Sequence, residues 1–129
     1  MKKIKMTGEQ RFRVWDKLRK RMSTVDRIYF DTEGVQLRDD GGLYWRDFRN
    51  IVLMQSTGLK DENGVEIFEG DVVKQEMLIP TFEIEKIIGV VEMLEGAWTI
   101  VNSKEEIACY LWREGAEMEI IGNVWEGGD

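Results

Sequence analysis

The amino-acid sequence predicts a mainly β protein, α+β at most, and three observations support this class. Short apolar segments rich in Val, Ile, Tyr and Phe recur along the 129 residues. Glycine, aspartate and asparagine cluster between these segments, as is typical of tight turns between strands. A hydrophobic content of 43% with 33% charged residues is that of a folded globular protein.

A β meander is expected in the first half of the chain, where apolar segments alternate with turns of the composition Asp-Thr-Glu-Gly and Asp-Asp-Gly-Gly. The expected strands cover residues 28–30, 35–37, 43–45 and 51–54. The segment 11–22 fits two alternatives. Val14, Leu18 and Met22 share a helical stripe, whereas Phe12 and Val14 share one face of a strand.

The second half is expected to form a small SH3-like barrel, because a Glu-Gly-Asp turn, a hairpin, a capped turn and a closing strand follow one another. Pro80 has no N–H for a ladder and marks a loop. Ser103 and Glu106 fit a capping box, which predicts a short helix or 3-10 turn. The expected strands cover residues 65–68, 72–73, 87–93, 97–101 and 119–125.

Charge is divided unevenly along the chain. Residues 1–49 contain 13 Lys or Arg and 8 Asp or Glu, net +5, whereas residues 50–129 contain 5 and 17, net −12. We therefore expect a basic N-terminal β region, 1–60, and an acidic barrel region, 61–129, within one compact unit.

These opposite charges also favour contacts between copies of the chain, so we expect a homo-oligomer. Pro80, with Leu78, Ile79 and Phe82 beside it, offers an apolar protrusion for such a contact.

The composition excludes several classes of function. The chain has no histidine and a single cysteine, so it lacks serine and cysteine triads, imidazole zinc sites and an internal disulfide. Cys109 is expected to be a buried structural thiol. No apolar run approaches the roughly 20 residues of a membrane-spanning helix. We read no export signal and no phosphate-binding loop, so a cytoplasmic protein without a cofactor is expected.

Carboxylates are the remaining candidates for metal binding or hydrolysis, but their spacing lacks the EF-hand pattern. The acidic candidates are Asp39, Asp40, Asp61, Glu62, Glu66, Glu69 and Asp71. Turn hydrogen bonds are the favoured role for Asp61, Asn63 and Asp71. An enzyme is therefore not expected, and a metal-dependent phosphoesterase is the least favoured hypothesis.

A basic cluster raises the alternative of nucleic-acid binding. Four cations fall within residues 17–21, and two tryptophans stand beside arginines, where they would stack on bases. A solvated face and core tryptophans are the competing interpretation. The candidate contacts are Lys17, Arg19, Lys20, Arg21, Trp15, Trp45 and Arg46.

Several blocks of the sequence together resemble the YopX family of phage and prophage proteins. They are FRVWD at 12–16, YWRD at 44–47, LMQSTGLKDENGVEIFEGDVV at 53–73 and EIIGNVWE at 119–126. The resemblance implies a phage or prophage origin, a mainly β structure, no established enzymatic activity, and a strand running into a basic turn over 11–22. The motif residues with an implied structural role are Thr57, Gly58, Leu59, Asp61, Asn63, Gly64, Glu69, Gly70, Asp71, Gly122 and Asn123.

The sequence thus favours a non-enzymatic phage accessory or binding protein that presents a surface to a macromolecular partner. A nucleic-acid-associated phage factor that uses the basic first half is the alternative. The identity of the partner and the stoichiometry of the oligomer are left open by the sequence.

Overall fold

A computed structural model describes residues 3–5 and 11–126 of the chain. This part is almost entirely antiparallel β structure, which confirms the mainly β class. The one helical element in it is a 3-10 turn at Phe48–Asn50. The strands are β1 (Lys3–Lys5), β2 (Phe12–Asp16), β3 (Arg21–Tyr29), β4 (Gly34–Asp39), β5 (Gly42–Asp47), β6 (Ile51–Lys60), β7 (Glu66–Phe68), β8 (Asp71–Leu78), β9 (Ile84–Leu94), β10 (Ala97–Asn102), β11 (Ile107–Tyr110) and β12 (Glu117–Asn123).

The chain divides into two compact units, unit 1 (residues 1–56) and unit 2 (residues 57–129), with the boundary inside β6. Residues 50–56 carry no charged side chain, so the division of charge follows the same boundary. Unit 1 has a net charge of +5 and unit 2 a net charge of −12.

Unit 1 is built on the strand order β5-β4-β3-β2-β6, with β1 also paired to β3. Strand alternation turns every second side chain of these strands to one face. The buried core is formed by Val14, Val25, Ile28, Val35, Leu37 and Ile51. Residues 11–22 form β2, a turn and the start of β3, as the family resemblance implied, and the helical alternative is wrong.

Unit 2 contains a five-stranded sheet in the order β11-β10-β9-β8-β12, and β7 pairs with β6. Its core consists of Ile67, Val73, Val91, Ile100 and Leu111. A β-bulge between Ile120 and Gly122 shifts the register of β12 against β8.

The five-stranded sheet is open, which corrects the expectation of a closed barrel. Closure requires a ladder between the two edge strands, β11 and β12, and the described residues contain none. β11 has only four residues, and the chain from 111 to 116 leaves the strand conformation before β12 begins.

Neither the short helix nor the 3-10 turn expected after Ser103 is assigned; residues 103–106 form a turn, in which Glu106 N–H donates to the Ser103 carbonyl oxygen at 3.3 Å, and this turn leads directly into β11. The side-chain oxygen of Asn102 accepts the N–H of Glu105 at 3.0 Å. Glu106 has a left-handed φ of 56°, which an α-helix does not continue through. No helix in the described ranges is long and apolar enough to cross a membrane.

Replacing Gly89 in β9 by alanine is expected to destabilise unit 2 by about 1–3 kcal/mol, because the core has no room for the methyl group. An added Cβ would lie 2.5 Å from the carbonyl oxygen of Val101, and backbone gives way only at a cost. Gly122→Ala is the matched control, since a Cβ there meets nothing within 4 Å. Denaturant unfolding measures both variants, and equal stabilities would contradict this packing.

Candidate functional site

The seven candidate nucleic-acid contacts all lie in unit 1, where the structure brings several of them together. Lys17, Arg19 and Lys20 occupy the turn between β2 and β3, and Arg21 begins β3. Trp15 lies in β2, and Trp45 and Arg46 lie in β5.

Asp16, at the end of β2, organises the basic turn from inside. Its fully buried carboxylate accepts the N–H groups of Leu18 and Arg19 at 3.0 and 3.2 Å. Arg46 Nε donates to it at 3.1 Å and the Tyr44 hydroxyl at 3.2 Å. Burial alone would raise the pKa of Asp16, but the hydrogen bonds from Arg19 N–H and Arg46 outweigh it and lower the pKa.

Arg19 and Arg21 converge on a single acceptor at the β4–β5 turn. Both guanidinium groups lie 2.6 Å from the same Asp39 oxygen, Oδ2. The other oxygen accepts Gly41 N–H at 2.8 Å, and this bond, ahead of the arginines, lowers the pKa of Asp39. Arg19 also stacks over the Tyr44 ring at 4.2 Å. The two arginines are therefore already paired within unit 1.

A cleft of about 470 Å³ lies beside this pair, between the β2–β3 and β4–β5 turns. Its charged lining side chains are Arg19, Arg21, Arg38, Asp39 and Asp40. Arg38 in turn donates to Asp26 at 2.6 Å. The cleft is thus a nearly balanced surface of ion pairs rather than an unopposed cationic patch.

Trp45 contacts other residues of unit 1, but it is 40% exposed and is not a core side chain. The ring lies 5.6 Å from that of Tyr29, and its Nε1 donates to Asp47 at 2.9 Å. It also covers Gly34 so closely that any Cβ there would overlap the indole. Trp15 is half-buried in β2.

The most exposed apolar group of the described residues lies at the end of the β8–β9 hairpin in unit 2. Leu78 is 62% exposed, Phe82 87% and Ile84 66%. Leu78 and Ile84 are cross-strand partners, so their side chains lie side by side. We call these three residues the apolar tip.

The loop of this hairpin holds Phe82 in a conformation that bulky residues rarely adopt. Phe82 has a φ of 63°, and its N–H donates to the carbonyl oxygen of Ile79 at 2.9 Å. A second bond, from Ile79 N–H to the Glu83 carbonyl oxygen at 3.0 Å, closes the loop around Pro80. Such strain concentrates at sites of function. Sequence reasoning named Phe82 and Leu78 but missed Ile84, which hairpin pairing with Leu78 would have indicated.

The carboxylate of Asp61 accepts three backbone hydrogen bonds in unit 2. One carboxylate oxygen accepts the N–H groups of Asn63 and Val65, each at 2.9 Å, and the other accepts Ile120 N–H at 3.1 Å. Burial works to raise the pKa of Asp61, but these three backbone hydrogen bonds outweigh it and lower the pKa.

Other motif residues shape turns or hold strand ends. Asp71 accepts Phe68 N–H at 2.8 Å, and Thr57 donates to the Ile67 carbonyl oxygen at 2.8 Å. Asn123 accepts the N–H groups of Trp125 and Glu126. Gly58, Gly64 and Gly70 have left-handed φ values, Leu59 packs on the core, Glu69 is half-buried, and Gly122 lies at the β12 bulge.

The carboxylates proposed for metal binding do not form a ligand set in the described part of the chain. No group of three or more Asp, Glu, Cys or His side chains there is placed to hold an ion. The pKa of Glu62 is raised, by desolvation first and then by Glu119 and Glu117, but Glu62 is exposed.

Cys109 is half-buried in β11, and burial raises the pKa of its thiol. Its sulfur lies 3.6 Å from Gln75 Oε1, which also accepts from Arg113 at 3.0 Å. Arg113 bonds Glu85 at 2.7 Å. Sequence reasoning missed this network, in which Gln75 is the buried member, because nothing in the local pattern marks Gln75 as a core residue.

These features define a two-unit, mainly β protein in which the buried carboxylates of Asp16, Asp61 and Asp71 accept hydrogen bonds within the fold. The model of the YopX protein family matches residues 11–128. The chain therefore belongs to the YopX protein family.

Two solved structures resemble the chain. Protein yopX from Bacillus subtilis is 21% identical, with a TM-score of 0.61 over 92% of this chain and 95% of that chain, and shows the same fold. Protein EF1440 from Enterococcus faecalis is 27% identical, with a TM-score of 0.49 over 90% and 93%. No curated protein matches the chain.

Asp61→Ala is expected to destabilise unit 2 by about 3 kcal/mol, because three backbone N–H groups lose their acceptor. The pKa of Asp61 is lowered in the fold, so its contribution is complete above the unfolded value of about 3.9 and is lost as the pH falls through the folded pKa. The difference in the free energy of unfolding between wild type and Asp61→Ala should therefore shrink as the pH falls.

Denaturant unfolding at a series of pH values measures this gap. Glu62→Ala, at the exposed neighbouring position, is the control and should change the stability by less than about 0.5 kcal/mol. An Asp61→Ala protein as stable as wild type at neutral pH would contradict the assigned role.

Proposed function

We propose that this member of the YopX protein family is a non-enzymatic accessory protein of phage or prophage origin that acts in the bacterial cytoplasm by binding a macromolecular partner. The observation that carries the proposal is the apolar tip, Leu78, Phe82 and Ile84. A second copy of the chain is the first partner we propose.

The tip has the chemistry of a protein-binding anchor. Burying a Leu, Ile or Phe side chain that is otherwise exposed contributes about 1.5–3 kcal/mol, and aromatic anchors dominate many interfaces. Phe82 is 87% exposed and is held outward by a loop with two backbone hydrogen bonds. A presented anchor loses little conformational freedom on binding, which favours affinity.

The buried carboxylates support a role without catalysis. A general acid needs a pKa raised toward neutrality, whereas the pKa values of Asp16 and Asp61 are lowered by hydrogen bonds. The thiol of Cys109 has a raised pKa, which disfavours the reactive thiolate. These groups stabilise strands and turns.

Self-association is supported by the charges of the two units, +5 and −12, which are complementary between copies. The apolar tip adds a contact that salt does not screen. Added salt is therefore expected to weaken the assembly partly, since exposed charge pairs are screened beyond about 8–10 Å at physiological ionic strength.

Nucleic-acid binding remains the second candidate, favoured by the exposed Lys17 and Lys20 of the basic turn. The arginines beside them share Asp39, which reduces what they offer to a phosphate. We expect single-stranded DNA or RNA to bind weakly in fluorescence anisotropy and to gain nothing from this turn. A loss of tight binding in a Lys17→Gln, Lys20→Gln variant would reverse the order of the two candidates.

The decisive variant replaces the three tip residues by serine, and light scattering at low salt measures its mass over a range of concentrations. Wild type is expected to be an oligomer, and the variant should be a folded monomer, because the three replaced side chains are exposed and do not belong to the core. The control replaces Leu18, Phe30 and Leu43 of unit 1, which are also exposed, and should stay oligomeric.

A partner other than a second copy is tested by affinity purification from lysogenic cells with the same three proteins. A partner retained by wild type and the control but lost by the tip variant would support the proposal. A wild type that is monomeric throughout, with partners that the tip variant keeps, would refute it.

A further inference from the structure

β11 forms one edge of the unit 2 sheet, and although it has only four residues, its sequence carries none of the lysine, proline or bulge protection of an edge. β10 pairs with one side of β11, and no strand of the described residues pairs with the other. Edge strands are commonly protected by lysine, proline or a bulge. β11 reads Ile-Ala-Cys-Tyr, which is uncharged and has neither proline nor a register shift.

The backbone groups that face outward follow from the pairing with β10. Leu111 N–H donates to the Trp98 carbonyl oxygen at 3.0 Å, so the alternation of an antiparallel ladder also turns Cys109 toward β10. Ala108 and Tyr110 then turn their backbone groups away. Gln75 Nε2 donates a hydrogen bond to the carbonyl oxygen of Tyr110 at 3.2 Å, so this acceptor is already engaged.

Three backbone groups therefore remain for an added strand: the N–H and carbonyl of Ala108 and the N–H of Tyr110. The buried Gln75 side chain also bonds the Leu111 carbonyl oxygen at 3.0 Å, which fixes the end of β11 to β8. The edge is thus a rigid template, which reduces the entropy lost when a segment binds.

A cavity of about 420 Å³ lies against this edge. Ala108 and Tyr110 line it together with Leu94, Glu95, Ala97, Thr99, Cys109 and Arg113. The charge of Arg113 is paired with Glu85. The Tyr110 side chain is 65% exposed. The cavity offers an apolar wall and an aromatic ring to a side chain of an added strand, with a carboxylate at its rim.

The charge around β11 selects the chemistry of the occupant. Residues 87–126 contain eight glutamates and only two cations, Lys104 and Arg113. Arg113 is already bonded to Glu85 at 2.7 Å. On the sheet, Glu92 pairs with Thr99, and Thr99 pairs with Tyr110, so a carboxylate lies in the same cross-strand row as the exposed ring. Lysine or arginine side chains complement this surface.

We propose that the free edge of β11 binds an extended segment of a partner protein with alternating aliphatic and basic side chains, which adds as a sixth strand to the sheet. Main-chain hydrogen bonds to Ala108 and Tyr110 supply affinity, and the cavity and the glutamates supply specificity. This surface is separate in sequence from the apolar tip, so the inference goes beyond the proposed function.

The test uses an acetylated octapeptide of alternating lysine and valine and amide hydrogen exchange of the full chain followed by NMR. Saturating peptide is expected to slow exchange at Ala108 and Tyr110, by about tenfold or more. Cys109 should change little, because its N–H already faces β10. The glutamate–valine octapeptide should give no protection.

Two controls remove one hydrogen-bonding partner at a time. An octapeptide N-methylated at every residue should lose binding by about tenfold, because neither of its edges can donate to β11. Ala108→Pro removes an outward N–H and should bind the unmethylated peptide about tenfold more weakly than wild type does. Ala108→Val keeps this N–H and should bind the peptide as wild type does. The serine variant of the apolar tip should also bind normally, which separates this result from the proposed function.

Three results would overturn the inference: no binding at about 1 mM peptide, equal binding of the N-methylated peptide, or protection elsewhere than Ala108 and Tyr110. If protection of these two amides rises with protein concentration in the absence of peptide, the occupant is a second copy of the chain instead. If Ala108→Pro fails to fold, the N-methylated peptide alone decides the question.

Discussion

The carboxylate of Asp61 is the contact on which the architecture of unit 2 depends. It accepts backbone N–H groups from its own turn, at Asn63 and Val65, and from Ile120 in β12, far along the chain. Buried backbone donors need partners, and in a protein made of short strands many of them lie at turns and strand ends. Asp71 and Asp16 serve the same purpose elsewhere, so the buried acids of this protein are structural.

Because the buried carboxylates are engaged within the fold, the function that we propose rests on the exposed apolar surface. The candidate arginines are bonded within unit 1, Arg19 and Arg21 to Asp39 and Arg46 to Asp16. Unit 2, in contrast, presents large apolar side chains on a hairpin and along an unprotected sheet edge. A protein built in this way is suited to binding other chains.

The sequence predicted what local chemistry determines and failed where distant residues decide. The turns at Asn63–Gly64 and Glu95–Gly96 and the loop at Pro80 followed from backbone preferences. No helix forms at residues 103–106. The side-chain oxygen of Asn102 accepts the N–H of Glu105, and the turn joins β10 to β11, whose pairing the sequence did not indicate. Three further features depend on how distant strands pair, which no local pattern reveals. They are the open edges of the unit 2 sheet, the two arginines that share Asp39, and the burial of Gln75.

The most direct test of this account is a carbon-13 NMR titration of the aspartate carboxyl groups in the folded protein. The account predicts that Asp16, Asp39 and Asp61 all titrate below the value of about 3.9 found in unstructured peptides, because each is held in its charged form by hydrogen bonds. A buried aspartate that instead titrates well above that value would contradict it. Such a group would be poised for proton transfer, and the protein would have to be reconsidered as an enzyme.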